Sequence, residues 1–307
     1  MVFLSENAMG HIECAAEEGG MTMQSHLSGG DARERTPQEG GSLMIQLLFA
    51  EPIVMPEQEL LTEKLEQQMG KVECFCYEKK LAAFTVASCT ERRIPMQLIL
   101  TACSDHLSEG VTAALQEQKQ KYPYQVTAMD VLAGKLPLRE RIQVELAFLD
   151  ALTEIYPTCA AFYFPGSRGL VPAERIREKG ASSYPERFCE CFIKIRLFQQ
   201  EETGEALADT LGMGVFGLPE LQYYFREGAA EPVLAQMRQM VLQMVQEQTV
   251  FLDGDILTGV VKGADGAEWQ MQWLCREAEA LVPPARRVLD LCISEAEEPF
   301  QSSKSAL

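Results

Sequence analysis

Residues 209–225 read DTLGMGVFGLPELQYYF, and the parsing of this stretch decides what kind of chain surrounds it. Gly212, Gly214 and Gly217 are followed by Leu218-Pro219-Glu220 and the aromatic run Tyr223-Tyr224-Phe225. The glycines spell a literal G-x-G-x-x-G. That motif holds a pyrophosphate when it closes a strand and opens a helix, because the helix N-terminus then turns its free N–H groups toward the anion. Here the residues after Gly217 are rich in strand formers, and no acid stands at the distance a ribose contact needs. The stretch is expected to be a backbone joint instead. Gly217 takes a conformation closed to bulkier residues and turns the chain into a strand over Leu218–Phe225. Structural roles follow for Gly212, Gly217, Leu218, Pro219 and Glu220, and no cofactor is implied.

Downstream, Pro232 to Gln246 carries Val233, Met237, Met240, Val241, Met244 and Val245 at helical period, with Pro232 suited to the first turn. Asp253-Gly254 begins a turn. Ile256–Lys262 and Glu268–Leu274 then read as a hairpin around residues 263–266. Upstream, the pattern predicts a helix over Leu138–Ile155, strands over Cys159–Phe164 and Cys189–Phe198, a turn at Pro165–Gly169 and a short amphipathic piece over Pro172–Lys179. The first half reads as strands Met44–Ala50, Val72–Tyr77, Leu81–Ala87, Met96–Ala102 and Gln125–Met129, with helices Glu57–Met69 and Leu107–Gln120.

This order predicts an α+β fold in two layers, helices on a mostly antiparallel sheet. The two halves, 43–135 and 136–293, are ferredoxin-like in their element order and compatible with a diverged internal duplication. Residues 1–42, acidic and rich in Gly and Ser, and residues 294–307 lack any sustained period and are expected to be disordered tails.

Composition removes several classes of partner. The net charge is −18 over 307 residues; residues 1–43 contribute −5 and residues 294–307 contribute −2, which leaves −11 for the middle. No basic stripe interrupts it, so neither nucleic acid nor an anionic membrane is an expected partner. No apolar run approaches the ~20 residues that cross a bilayer, and MVFLSENAMG has no signal-peptide pattern, so the cytoplasm is the expected compartment.

The ten cysteines include two CxC pairs, neither with zinc-knuckle spacing. Alternation puts Val72, Cys74 and Cys76 on one strand face, and Cys189, Cys191, Ile193, Ile195 and Leu197 on another. Free, buried thiols follow, and no metal. The one histidine of the middle, His106, stands beside Ser104 and Asp105 at an expected helix start, where capping accounts for it without a nucleophile–base set. Asp253 and Asp255 could offer oxygens to a cation, yet the residues after them do not continue a calcium loop, and a solvated turn is the simpler reading. Arg168, Arg175 and Arg177 could form a small anion site, with solvated surface again the simpler reading.

Thr210-Leu211-Gly212-Met213, then Phe216-Gly217-Leu218-Pro219-Glu220-Leu221, then a helix and Phe251-Leu252-Asp253-Gly254-Asp255, resembles the bacterial domain-of-unknown-function 4261 family over about residues 160–275. Ile256 and Leu257 stand where a shorter Asp-Thr turn would fit that pattern. The resemblance implies a fold, not a reaction. The sequence is read as a non-catalytic protein-binding or accessory, immunity-like module with a protein partner. The competing reading is an enzyme or a small-molecule or metal binder with its site near Gly212–Glu220 and Asp253–Asp255.

Overall fold

Apolar residues at helical spacing bury one face of each long helix. In the computed structural model, which describes residues 24–26, 35–87, 93–102, 120–178, 183–200, 203–226, 230–262 and 268–293, helix α1 (Gln58–Met69) buries Leu61 and Leu65 and stops at Gly70. Helix α2 (Leu138–Ile155) buries Ile142, Leu146, Leu149 and Leu152 and packs against α1. Two short helices, α3 (Ala173–Arg177) and α4 (Tyr184–Phe192), precede α5 (Ala230–Glu247), whose buried face includes Met237, Met240, Val241, Met244 and Val245.

Fourteen strands form two sheets among the described residues. They are β1 (Gln24–His26), β2 (Met44–Phe49), β3 (Val72–Tyr77), β4 (Leu81–Ala87), β5 (Arg93–Ala102), β6 (Tyr124–Asp130), β7 (Ala161–Phe164), β8 (Gly169–Pro172), β9 (Lys194–Gln200), β10 (Glu205–Leu211), β11 (Glu220–Arg226), β12 (Ile256–Lys262), β13 (Glu268–Glu279) and β14 (Arg287–Ile293). The first sheet has the order β3-β4-β5-β6-β2-β7-β8 and is antiparallel throughout. The second has the order β1-β12-β13-β14-β11-β10-β9, with β11 and β14 its one parallel pair. One continuous apolar core joins both sheets through α1, α2, α4 and α5. The fold is α+β with mostly antiparallel sheets.

Several expectations are corrected in detail. Each sheet has seven strands rather than the four of a ferredoxin-like unit, and the two differ in pairing: β2 joins an antiparallel β6, whereas β11 joins a parallel β14. Strands β7 and β8, which a division at residue 135 assigns to the second half, complete the first sheet. Cys189 and Cys191 sit on helix α4, not on a strand. Pro185 in its first turn and the Ser183–Glu186 capping box, with Ser183 N–H donating to Glu186 Oε2 at 2.7 Å, start that helix, and Phe188 and Phe192 give it an apolar i, i+4 pair. The register of β3 shifts between Cys74 and Cys76, which leaves Phe75 between them 63% exposed. Most of the expected helix 107–120, with Ser104, Asp105 and His106, lies outside the described residues, as do the turn 263–266 and the tail 294–307.

Residues 35–42 are not a free tail. Val250 N–H donates to the Arg35 carbonyl at 2.9 Å, Gln38 N–H to the Gly217 carbonyl at 3.1 Å, and Gly40 N–H to the Gly134 carbonyl at 3.1 Å. The segment is thus a strap that touches both halves before entering β2. Residues 24–26 add a three-residue strand to the edge of β12.

Candidate functional site around the glycine turn

Strand β10 ends at Leu211, a single 3₁₀ turn spans Met213–Phe216, and β11 starts at Glu220. Gly212 and Gly217, both at positive φ, flank the turn, at +107° and +73°. Glycine is needed at Gly217 for a second reason: a Cβ there would collide with the backbone of Gln38 in the strap. Phe216 points from the turn into an aromatic cluster, with ring centroids 4.8 Å from Phe188 and 5.3 Å from Phe192, and the Arg141 guanidinium lies 4.7 Å over its ring.

The amides of the turn are already in use. Gly212 N–H donates to Glu220 Oε1 at 2.9 Å, and Gly214 N–H to the same oxygen at 3.2 Å. Thr210 Oγ1 donates to Glu220 Oε2 at 2.7 Å and itself accepts the Leu221 N–H at 2.8 Å. The carboxylate of Glu220 therefore occupies the place an anionic ligand would take in a nucleotide-binding loop. Burial raises the Glu220 carboxyl above its ordinary value, opposed by the bonds from Thr210 and Gly214, by the charge of Arg286 and by the Gly212 amide.

One residue upstream of Thr210, the fully buried Asp209 is held by two arginines. Arg196 Nε donates to Asp209 Oδ1 at 2.8 Å and Arg196 Nη2 to Oδ2 at 2.5 Å, while Arg286 Nη2 bonds Oδ2 and the Thr210 carbonyl. Arg196 Nη1 donates to the Pro283 carbonyl and Arg286 Nη1 to the carbonyls of Val282 and Pro284. This cluster ties the segment after β13 across the outer side of β9–β11. Nothing in the local sequence pattern separates Arg196 and Arg286 from surface arginines.

The Asp253-Gly254-Asp255 turn serves two separate purposes. Asp253 is exposed and accepts the Glu277 N–H at 2.9 Å, and Gly254, at φ +85°, has open space around it. Asp255 is fully buried; it accepts Arg35 Nη1 and Nη2 at 2.8 and 3.0 Å and the Leu252 N–H at 2.9 Å. Glu220, on β11, is three strands removed from β12, so the two halves of the suggested site do not converge. Leu218 is buried, and Pro219 leads into β11.

Among the described residues no group of three or more His, Cys, Asp or Glu is placed to hold a metal ion. Burial pushes the thiols of Cys159, Cys189, Cys191 and Cys275 up to about 12, away from nucleophilic use. Of the three arginines near the Pro165 turn, Arg177 donates to the carbonyls of Pro157 and Cys159, and Arg168 sits at φ +52°. A hollow of ≈ 540 Å³ beside Val54, Met55, Tyr77, Glu78 and Lys79, and one of ≈ 230 Å³ between α1, β4 and α2 beside Met69, Val86 and Gln143, are not lined by the glycine turn. No described helix is long and apolar enough to cross a membrane.

One further surface emerges from the register. Phe198, Leu207 and Tyr224 are direct neighbours across β9, β10 and β11, and Cys292, Leu274 and Ile256 are direct neighbours across β14, β13 and β12. The β11–β14 pairing Gln222↔Asp290 puts Tyr224 and Cys292, each two residues on, on one face. Six apolar side chains thus form a row on the side of the second sheet opposite the Tyr223, Leu291, Trp273 and Leu257 core. Tyr224 is 43% and Ile256 38% exposed, Cys292 and Leu274 are half-buried, and Phe198 and Leu207 are buried.

No curated protein and no solved structure matches the chain. Residues 209–292, from the buried Asp209 through the glycine turn to β14, match the family described as a domain of unknown function (DUF4261), and over this segment the chain resembles that family.

Proposed function

We propose that the protein is a non-catalytic, cytoplasmic accessory module that binds a partner protein on the outer face of its second sheet. The observation that carries this reading is the apolar row Tyr224–Cys292–Leu274–Ile256, with Tyr224 and Ile256 exposed and Cys292 and Leu274 half-buried, beside the buried Phe198 and Leu207. A row of apolar side chains on the outer face of a sheet is a recognition feature, and an aromatic residue within it is the expected anchor. The net charge of −18 opposes self-association and favours a basic partner. The amides of Gly212 and Gly214 are spent on Glu220, which argues against a nucleotide at the turn.

Affinity capture from the native host with the wild type and with Tyr224→Arg tests the reading. A partner retained by the wild type and lost by the variant, at unchanged thermal stability, supports it. Equal capture by both, or none by either, overturns it. In parallel, nucleotides and divalent cations should leave the melting temperature unchanged; a ligand at 100 times its Kd would add about 2.7 kcal/mol.

A further inference from the structure

Beneath the strap lies a charged node of Asp130, Arg141 and Glu145. Asp130, at the end of β6, accepts the Leu43 N–H at 2.6 Å and the Ala133 N–H at 3.0 Å. Arg141 on α2 lies 3.6 Å from Asp130 and donates to the carbonyls of Gly41 and Val215. Glu145, one turn further along α2, is fully buried, and among the described residues no donor reaches either of its oxygens. Asp130, Arg141 and Glu145 are thus sealed from water, while Gly41 and Ser42 above them are exposed. The strap is a single layer of chain between this node and solvent.

A buried carboxylate with no donor is among the most unfavourable arrangements a folded chain can hold. The two terminal nitrogens of the Arg141 guanidinium serve two carbonyls and face Asp130, and its Nε, buried without a partner, does not bond Glu145. A protonated Glu145 resolves the conflict, because its O–H can donate to the Asp130 carboxylate. We propose that Glu145 keeps a proton shared with Asp130, and that this shared proton closes the strap over the Val215–Gly217 turn, so that its loss opens the strap. Asp130 from β6 and Arg141 from the same helix are the charged groups that act on Glu145; burial and Asp130 raise its carboxyl well above the ordinary value, and Arg141 opposes them. With the strap lifted, water reaches the node and Glu145 regains an ordinary carboxyl's behaviour; from about pH 4.3 up to the pH at which the closed-state carboxyl itself titrates, each pH unit favours the open state by about tenfold, and above that the effect levels off. Opening would break the Gln38–Gly217 and Arg141–Gly41 bonds together, uncovering the glycine turn.

Two measurements on the whole chain test this. Infrared spectra at neutral pH should show a protonated-carboxyl stretch in the wild type that Glu145→Gln removes. Hydrogen exchange at residues 38–43, taken as the ratio of wild type to Glu145→Gln, should rise with pH from neutral upward, by up to about tenfold per unit, until the closed-state carboxyl itself titrates. No protonated-carboxyl band, or a ratio independent of pH, overturns the proposal. Should Glu145→Gln fail to fold, Glu145→Leu replaces it in both the exchange ratio and the infrared difference spectrum.

Discussion

Arg35 and Asp255 meet through two parallel hydrogen bonds of 2.8 and 3.0 Å although 220 residues separate them. The pair is buried, and it fastens the start of the strap to the turn that opens β12. Removing one partner of such a pair leaves the other charge dry and uncompensated, which costs about 3–5 kcal/mol. Arg35→Met is expected to fall at the low end, since the strap can lift and admit water to Asp255. Asp255→Asn should cost at least as much, because Asp255 is fully buried and its turn is held to β13 through the Cys275 N–H. Urea unfolding of both variants measures this, and a loss under about 1 kcal/mol for both would show that the pair does not fix the strap.

Gly217 and Gly254 share a positive φ but not their surroundings. At Gly254 an added Cβ meets open space, so Gly254→Ala should cost only the backbone strain, roughly 1 kcal/mol. At Gly217 the same Cβ runs into the Gln38 backbone, so Gly217→Ala adds displacement of the strap to that strain. The difference between the two substitutions should vanish in a chain that begins at Leu43. Stability of the four combinations by urea titration checks this; an unchanged difference after truncation would place the clash elsewhere.

The contrast between strap and turn explains what the amino-acid sequence could say. Helix α2 matches its expected bounds, and α5 lies within two residues of them, because each carries its own apolar period. The positive φ of Gly217 was legible from the turn residues alone. Helix α4 was misread because Cys189-Glu190-Cys191 also satisfies strand alternation; the capping pair Ser183 and Glu186 and the Phe188–Phe192 spacing were the signals that decide it. Strand β10 shows no alternation, since both of its faces are buried. The strap carries no period at all. Its order comes from Asp255, Gly217 and Arg141, each at least 100 residues distant, and no local window contains them.

Thiol reactivity should sort by depth. Cys159, Cys189, Cys191 and Cys275, with thiols near 12, hold roughly one thiolate in ten thousand at pH 8 and should resist a disulfide reagent in the folded protein. Of the described thiols, Cys74, Cys76 and Cys292 are half-buried and should react before these four. Mass mapping of labelled peptides at pH 8, with and without denaturant, separates the classes. Early labelling of Cys189 or Cys191 would mean that α4 opens readily.

Glu220 makes a prediction whose sign is fixed by its burial. Its folded carboxyl titrates above the unfolded value of about 4.3. Between those two values the folded state holds a proton that the unfolded state has lost. Stability from this group is therefore greatest below about pH 4.3, falls as pH rises toward the folded value, and levels off above it. Glu220→Gln removes the titration and weakens the bonds to Gly212, Gly214 and Thr210, at a cost of about 1–3 kcal/mol. Subtracting the variant's unfolding free energy from that of the wild type at each pH cancels the other titrating groups, Glu145 included. The difference should be largest near pH 4, decline over the next units and then flatten. A difference that grows with pH would mean that the four surrounding donors and charges outweigh burial, and that Glu220 titrates below its ordinary value.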